Sequence, residues 1–307
     1  MKKILITGGS GTIGSSFIKN YYDDYKFFSY SRNEKMQVSL KRSFNDVEVI
    51  LGSVEDKLSL MKTISKIKPD VIIHAAALKH VDTGEIAPIQ MVKSNIIGTL
   101  NIIECSYEFH VPVTVGISTD KACEPYNNYG YGKLLMEKMF MEANCDRSKF
   151  STCRFGNVTH SHGSVLPFWS RLKADNKALL LTDRRMNRLM FSKDEAAKLI
   201  HTAMLKTYTE EEGFVLSKKM KTVNMLKLAQ VMSDNSEKLD ECLISKEEIP
   251  FTYVDGDFIT LKLRKNKGKN ILTEEYSSLT ADEMNTHEML AITNHDGYGD
   301  RDYYGAH

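Results

Sequence analysis

An α/β fold built on a doubly wound parallel sheet, with a smaller C-terminal lobe, is predicted by three observations. Short apolar runs alternate with helical periodicities through the first half of the chain. The first run, Lys3 to Thr7, ends in a glycine-rich turn, GGSGTIG, with a helical pattern opening at Thr12. Beyond Gly156 the alternation becomes irregular, which marks the second lobe.

Each element has its own warrant. Gly8, Gly11 and Gly14 permit a tight turn and close backbone approach to a pyrophosphate, and Thr12, Ile13 and Gly14 open a helix whose positive N-terminus faces it. Strand before and helix after make this a dinucleotide-binding, Rossmann-type start. Further strands are expected at Lys26 to Tyr30, Val47 to Leu51, Val71 to His74, Val113 to Ser118 and Ser151 to Phe155. Helices are expected at Lys57 to Ile67, Met91 to Phe109 and Tyr129 to Ala143. Later helices are expected at Val165 to Ala174, Lys193 to Leu205 and Asn224 to Met232, with strands at Phe214 to Leu216 and Phe258 to Leu263. Residues 1–160 form the dinucleotide-binding domain, with later segments returning to it. Residues 161–307 are mainly a substrate-binding lobe and a polar, glycine-rich tail, NHDGYGDRDYYGAH, read as a surface segment or subunit contact.

Composition narrows the function. A chain of 307 residues with 42% hydrophobic content buries one large core. The net charge of +1 argues against a general nucleic-acid surface. Five cysteines in odd number, without CxxC spacing, read as reduced thiols. No apolar run approaches membrane length and the start lacks a signal-peptide layout, so the protein is expected in the cytoplasm. His160-Ser161-His162 resembles paired metal ligands but has no third ligand spaced nearby, so no metal is expected.

The chemistry concentrates in STDKACEPYNNYGYGKLLMEK, from Ser118 to Lys138. Tyr129 and Lys133 stand one helical turn apart, and a neighbouring ammonium favours the phenolate. That pair suits removal of a proton from a secondary alcohol while hydride leaves the same carbon. After the second strand, Ser31 and Arg32 offer a hydroxyl and paired donors to a 2′-phosphate, which favours NADP; Glu34 is read as a helix-starting glutamate.

From Lys3 to about Leu263 the chain resembles the extended short-chain dehydrogenases/reductases, and among them the inverting UDP-N-acetylglucosamine 4,6-dehydratases, which are also 5-epimerases. The resemblance is carried by ITGGSGTIG, SRNEKMQ, HAAALKHV, STDKACEPYNNYGYGK, RFGNV, GSVLPF, RMNR and EKLDE in family order. It implies Asp120, Lys121, Tyr129 and Lys133 as catalytic groups. It implies a cofactor site formed by the glycine turn (Gly8, Gly11, Thr12, Ile13, Gly14), then Ser31, Arg32 and Lys35, then Ser53 and Val54, then Ala75, Ala76 and Lys79, with Tyr129 and Lys133. Lys79, Ser118, Thr119, Asn157, Val165, Arg188 and Glu237 would meet a UDP-GlcNAc substrate, and a homodimer or higher homo-oligomer is implied. The chain departs from the pattern at Ser53, where the family often has aspartate. It departs at His160 and His162, where glycine and arginine are usual, and at Asp234, where an arginine normally faces the diphosphate. Arg188 matches the other diphosphate arginine.

The expected mechanism follows from residue chemistry. Tyr129 takes the proton from O4, neutral Lys121 removes the C5 proton acidified by the 4-ketone, and protonated Asp120 donates to the leaving C6 hydroxyl. Ser118 or Thr119 hydrogen-bonds O4. Retaining relatives carry an acidic residue where Lys121 stands. A retaining 4,6-dehydratase, a 4-epimerase and a non-catalytic NADP-sensing protein are the alternatives.

Overall fold

The computed structural model describes residues 1–161, 163–175, 177, 179–181, 183–232, 242–268 and 270–293. Strand β1 (Lys3–Thr7), helix α1 (Thr12–Asn20), β2 (Lys26–Ser31), α2 (Glu34–Ser43), β3 (Glu48–Leu51), α3 (Lys57–Ile67) and β4 (Val71–His74) come first. Then α4 (Val81–Ile86), α5 (Pro88–Met91), a π-helical stretch Val92–Ile97 and α6 (Gly98–Glu108) lead to β5 (Val113–Thr119). A single 3₁₀ turn, Asp120–Ala122, precedes α7 (Asn128–Ala143) and β6 (Lys149–Phe155). The one helix expected over 91–109 is therefore a composite. Pro88 starts it early, and Thr99 Oγ1 donates to the Asn95 carbonyl at 2.6 Å, competing with the helical ladder inside the π stretch.

The remaining elements are β7 (Asn157–Val158), α8 (Val165–Ala174), β8 (Asn187–Phe191), α9 (Lys193–Thr209), β9 (Phe214–Lys218), β10 (Lys221–Asn224) and α10 (Met225–Met232). After these come β11 (Cys242–Ile244), β12 (Thr252–Asp255), β13 (Phe258–Lys262), β14 (Tyr276–Ser277) and α11 (Thr286–Thr293).

The chain divides into two compact units. The first comprises Met1–Phe155, Asp194–Lys219 and Cys242–Glu275. Its nine-stranded sheet has the order β12-β13-β9-β6-β5-β4-β1-β2-β3, parallel from β9 to β3, with β13 and β12 antiparallel at one edge. This is the Rossmann-type doubly wound arrangement. The chain runs outward from β1 to β3, then crosses back to β4, so a ligand crevice opens where Thr7 and His74 end their strands in register. Burial explains the cohesion: Leu5, Phe28 and Ile72 of the sheet pack with Leu60 and Ile64 of α3 and Ile102 of α6. On α7, Phe140 meets Phe150 of β6 edge-on at 5.3 Å.

The second unit comprises Gly156–Lys193, Met220–Glu241 and Tyr276–His307. It has a small sheet in the order β10-β8-β7 and a core in which Trp169 is fully buried among Leu166, Met190, Val223 and Leu228.

Candidate active site

The glycine turn is shaped by what it touches. Gly8 has φ +72°, and a Cβ there would lie 2.9 Å from the Ala76 nitrogen, so only glycine lets this backbone rest on Ala75 and Ala76. Gly11 N–H donates to the Gly8 carbonyl at 2.9 Å and closes the turn. Thr12, Ile13 and Gly14 then open α1, whose N-terminus has no side-chain cap. Ser10 Oγ is buried and has no hydrogen-bond partner. An uncapped helix start beside an unpartnered hydroxyl fits a phosphate group. Below the turn, His74 Nδ1 and Thr7 Oγ1 lie 2.8 Å apart and Thr99 Oγ1 lies 3.3 Å from Nε2. Burial, with the charge of Lys133, pulls this imidazole down to about 3, so it is a neutral brace between β1 and β4.

Past β2, Ser31 ends the strand and Arg32 Nη1 lies 3.1 Å from Glu55 Oε1 with its side chain 54% exposed. Asn33 caps α2 by accepting from Met36 N–H at 3.0 Å, which makes Glu34 and Lys35 its first residues. Ser53 and Val54 are fixed through their carbonyls, which accept from Tyr30 Oη at 3.0 Å and Asn101 Nδ2 at 2.8 Å.

Asp120, Lys121 and Tyr129, the expected acid–base groups, meet at the carboxyl end of β5. Asp120 is buried; its Oδ1 accepts from Thr119 Oγ1 at 2.8 Å and from Lys121 Nζ at 3.2 Å. Its Oδ2 is buried and has no hydrogen-bond partner. Tyr129 is buried beside this pair. Burial pushes its phenol up to about 12, with Lys121 and the Thr119 hydroxyl pulling it down and Asp120 raising it. Lys133 is buried too, and its Nζ donates to the Ile117 carbonyl at 2.6 Å. Burial lowers this amine to about 8 against the opposing charge of Glu137. Lys121 thus pulls the phenol down, and burial outweighs it.

Local structure fixes the start of α7. Asn127 Oδ1 accepts from Gly130 N–H at 2.8 Å, and Glu85 Oε1 accepts from Asn128 N–H at 2.7 Å. A Cβ on Gly130 would overlap the carbonyl oxygen of Lys121, so glycine lets the helix lie directly on the Asp120–Ala122 turn. Behind it, Ser118 Oγ donates to Glu137 Oε1 at 2.6 Å, which turns Ser118 towards the helix.

Lys79 follows β4 in the loop AAALKH and is exposed as a residue, with its amine lowered by partial desolvation. Asn95, in the π stretch, holds this loop: it accepts from Leu78 N–H and donates to the Leu78 carbonyl, both at 2.8 Å. Sequence reasoning missed Asn95, because its role depends on that π stretch. Glu137 had a signal, standing one turn after Lys133.

Asn157, Val165 and Arg188 belong to the second unit. Asn157 Nδ2 donates to the Leu189 carbonyl at 3.4 Å, Val165 is the first residue of α8, and Arg188 is buried on β8 with Nη1 donating to the Asn187 carbonyl at 3.1 Å. The ring nitrogen Nε2 of His160 lies 2.6 Å from the Ile292 carbonyl. Glu237, Asp234 and His162 lie outside the described residues. No described helix is long and apolar enough to cross a membrane.

Comparison with known proteins adds independent findings. The family described as "Polysaccharide biosynthesis protein" matches residues 4–254. The UDP-N-acetylglucosamine 4,6-dehydratase (inverting) of Campylobacter jejuni is 35% identical, covering 82% of this chain and 80% of that protein. The UDP-glucose 4-epimerase of Rickettsia bellii is 29% identical, covering 95% of each. Among solved structures, Pen from Bacillus thuringiensis superimposes with a TM-score of 0.87 at 28% identity, over 95% of this chain and 97% of that one. The chain belongs to the polysaccharide biosynthesis protein family, within the extended short-chain dehydrogenases/reductases.

Proposed function

We propose that the protein is an NADP-dependent UDP-GlcNAc 4,6-dehydratase that inverts C5, yielding UDP-2-acetamido-2,6-dideoxy-β-L-arabino-hex-4-ulose. The observation that carries this reading is the buried Asp120, with Lys121 on one carboxylate oxygen and the other oxygen without a partner, beside Tyr129. An acid and a base from adjacent residues suit elimination across C5 and C6. The similarity to the Campylobacter enzyme supports the same substrate class. The fit of the Gly8–Gly14 turn to a phosphate supports a dinucleotide, and Ser31 with Arg32 supports the 2′-phosphorylated form.

The Gly8–Gly14 turn, Ser31 and Arg32 would hold NADP, which would supply the hydride acceptor for C4 and the hydride returned to C6. Tyr129 accepts the O4 proton, with Lys133 behind it and Thr119 orienting O4. A proton shift from Lys121 Nζ to Asp120 leaves a neutral amine and a protonated carboxyl; Lys121 then removes the C5 proton, and Asp120 donates its proton to the C6 hydroxyl, which leaves as water. C5 regains a proton on the opposite face from Tyr129, which carries the O4 proton after oxidation at C4. Arg188 is assigned to the diphosphate and Lys79 to the substrate side of the cofactor. A homo-oligomer and a cytoplasmic location belong to the same reading.

The similarity to an epimerase over nearly the whole chain favours a second reading, a 4-epimerase. That reaction needs no C5 base, so Lys121 and the free Asp120 oxygen would be idle. Incubation with NADP+ and UDP-GlcNAc in D2O, followed by NMR, separates them. The dehydratase replaces the C6 hydroxymethyl by a methyl group and places deuterium at an inverted C5. A C4 epimer without C5 deuterium identifies the epimerase, and a D-configured 4-keto product identifies a retaining dehydratase.

A further inference from the structure

The turn carrying Asp120 and Lys121 is tethered at both ends to carboxylates, one buried (Glu137) and one half-buried (Glu248). Before it, Ser118 Oγ donates to Glu137 Oε1 at 2.6 Å; after it, Cys123 Sγ donates to Glu248 Oε2 at 3.4 Å. Glu137 belongs to α7, whereas Glu248 lies just beyond β11 and is anchored by accepting from Ser245 N–H at 3.1 Å. One side chain joins the two. Arg154, at the end of β6 and fully buried, donates to Glu137 through Nε at 3.0 Å and Nη2 at 2.6 Å. It donates to Glu248 through Nη1 at 3.0 Å and Nη2 at 3.1 Å, and Nη1 also reaches the Leu243 carbonyl at 2.6 Å. All the guanidinium N–H groups are used.

A buried ionic triad is a weak source of stability, because desolvation offsets the attraction and apolar residues of equal volume often serve as well. What a planar guanidinium with two carboxylates supplies is geometry. It sets both carboxylates in one frame, and each carboxylate holds one flank of the acid–base turn. Burial works against the charge of Glu248, yet Arg154 overcomes it and holds that carboxyl below its ordinary range. None of these three residues is assigned to substrate or cofactor.

We propose that Arg154, with Glu137 and Glu248, forms a positioning clamp that holds the Asp120–Lys121 turn from behind for elimination. This rests on the reading of that turn as the acid–base pair of a dehydratase. The clamp acts through Ser118 and Cys123, so cutting one tether loosens the turn without touching the reacting groups.

Cys123→Ala removes the thiol tether, together with the thiol's contact with Cys242, and Glu248→Gln removes the charge with little change of shape. Hydrogen–deuterium exchange of the ligand-free protein reads the clamp without any reaction. In both variants the amides of residues 119–123 should exchange about tenfold faster, while those of β1 and β4 stay unchanged. In the NADP-loaded enzyme, water loss from UDP-GlcNAc should slow about ten- to a hundredfold, with KM unchanged. Cys123→Ser, which keeps a donor, should recover most of both. Unchanged exchange at 119–123, or equal loosening in β1 and β4, overturns the clamp. If Glu248→Gln does not fold, Cys123→Ala alone decides. A wild-type enzyme that releases no water from UDP-GlcNAc sinks the proposed function instead, and the exchange data still decide whether the clamp exists.

Discussion

Asp120 and Lys121 are neighbours in the chain but not in exposure. The aspartate side chain is fully enclosed while 19% of the lysine side chain meets solvent. The lysine can therefore reach a substrate carbon while its partner oxygen stays dry. Lys121→Ala is expected to permit partial reduction of NADP+ by substrate but no loss of water, because oxidation at C4 does not need that base. Near-ultraviolet absorbance of the reduced cofactor, with NMR of the sugar, checks it. Arg32 offers a second test at this scale. Its pairing with Glu55 is largely exposed and weak, so the guanidinium is available to a phosphate. Arg32→Ala should weaken NADP by about ten- to a hundredfold and leave NAD nearly unaffected. Equal losses in a fluorescence titration would remove the case for NADP.

Helix α7 is the element on which the site depends. It brings Tyr129 and Lys133 to the sheet, and Gly130 sets its distance from the Asp120–Ala122 turn. Gly130→Ala forces a methyl group onto the Lys121 carbonyl. The expected cost is about 1–3 kcal/mol of stability, read as a lower melting temperature, with a loss of turnover larger than that of NADP affinity. The YxxxK spacing was legible because helical periodicity is local. That Lys121 lies close enough to lower Tyr129 was not, because it depends on how the turn folds back across the helix start. The π stretch was equally hidden: its residues read as ordinary helix, and its interruption comes from Thr99 and Asn95.

At the scale of the whole molecule, two buried groups shape stability against pH. Lys133 titrates at about 8 in the fold and 10.5 when unfolded, so the unfolded chain binds more protons between those values and stability rises with pH there. Tyr129 titrates at about 12 in the fold and 10.0 when unfolded, so its contribution falls between those values. Wild type should gain on Lys133→Met from pH of about 8 upward in denaturant titrations; a constant difference would refute the lysine assignment. Assembly is the other property at this scale. Ile89, Val92, Ile97 and Leu100, along α5 to α6, and Tyr131 and Leu135 on α7 are exposed apolar side chains. If they seat a second copy, Leu135→Asp should shift the protein to monomer in light scattering without lowering its melting temperature.

Lys57–Ile67, Val71–His74 and Val165–Ala174 form over the very residues their patterns mark. The glycine turn, the alternating plan of the sheet and the helix bearing Tyr129 and Lys133 were likewise determined by the sequence alone. Each depends on side-chain periodicity or on backbone freedom within a few residues. Strands β7, β8 and β10 lie where the sequence pattern is irregular, and they pair with one another. Only the tertiary structure decided that Arg154 joins carboxylates 17 and 94 residues away, that Asn95 grips Leu78, and that burial rather than a neighbouring charge governs Tyr129. The physical reason is common to all three: desolvation and buried hydrogen bonding are set by groups brought together from distant parts of the chain, and no local pattern encodes that meeting.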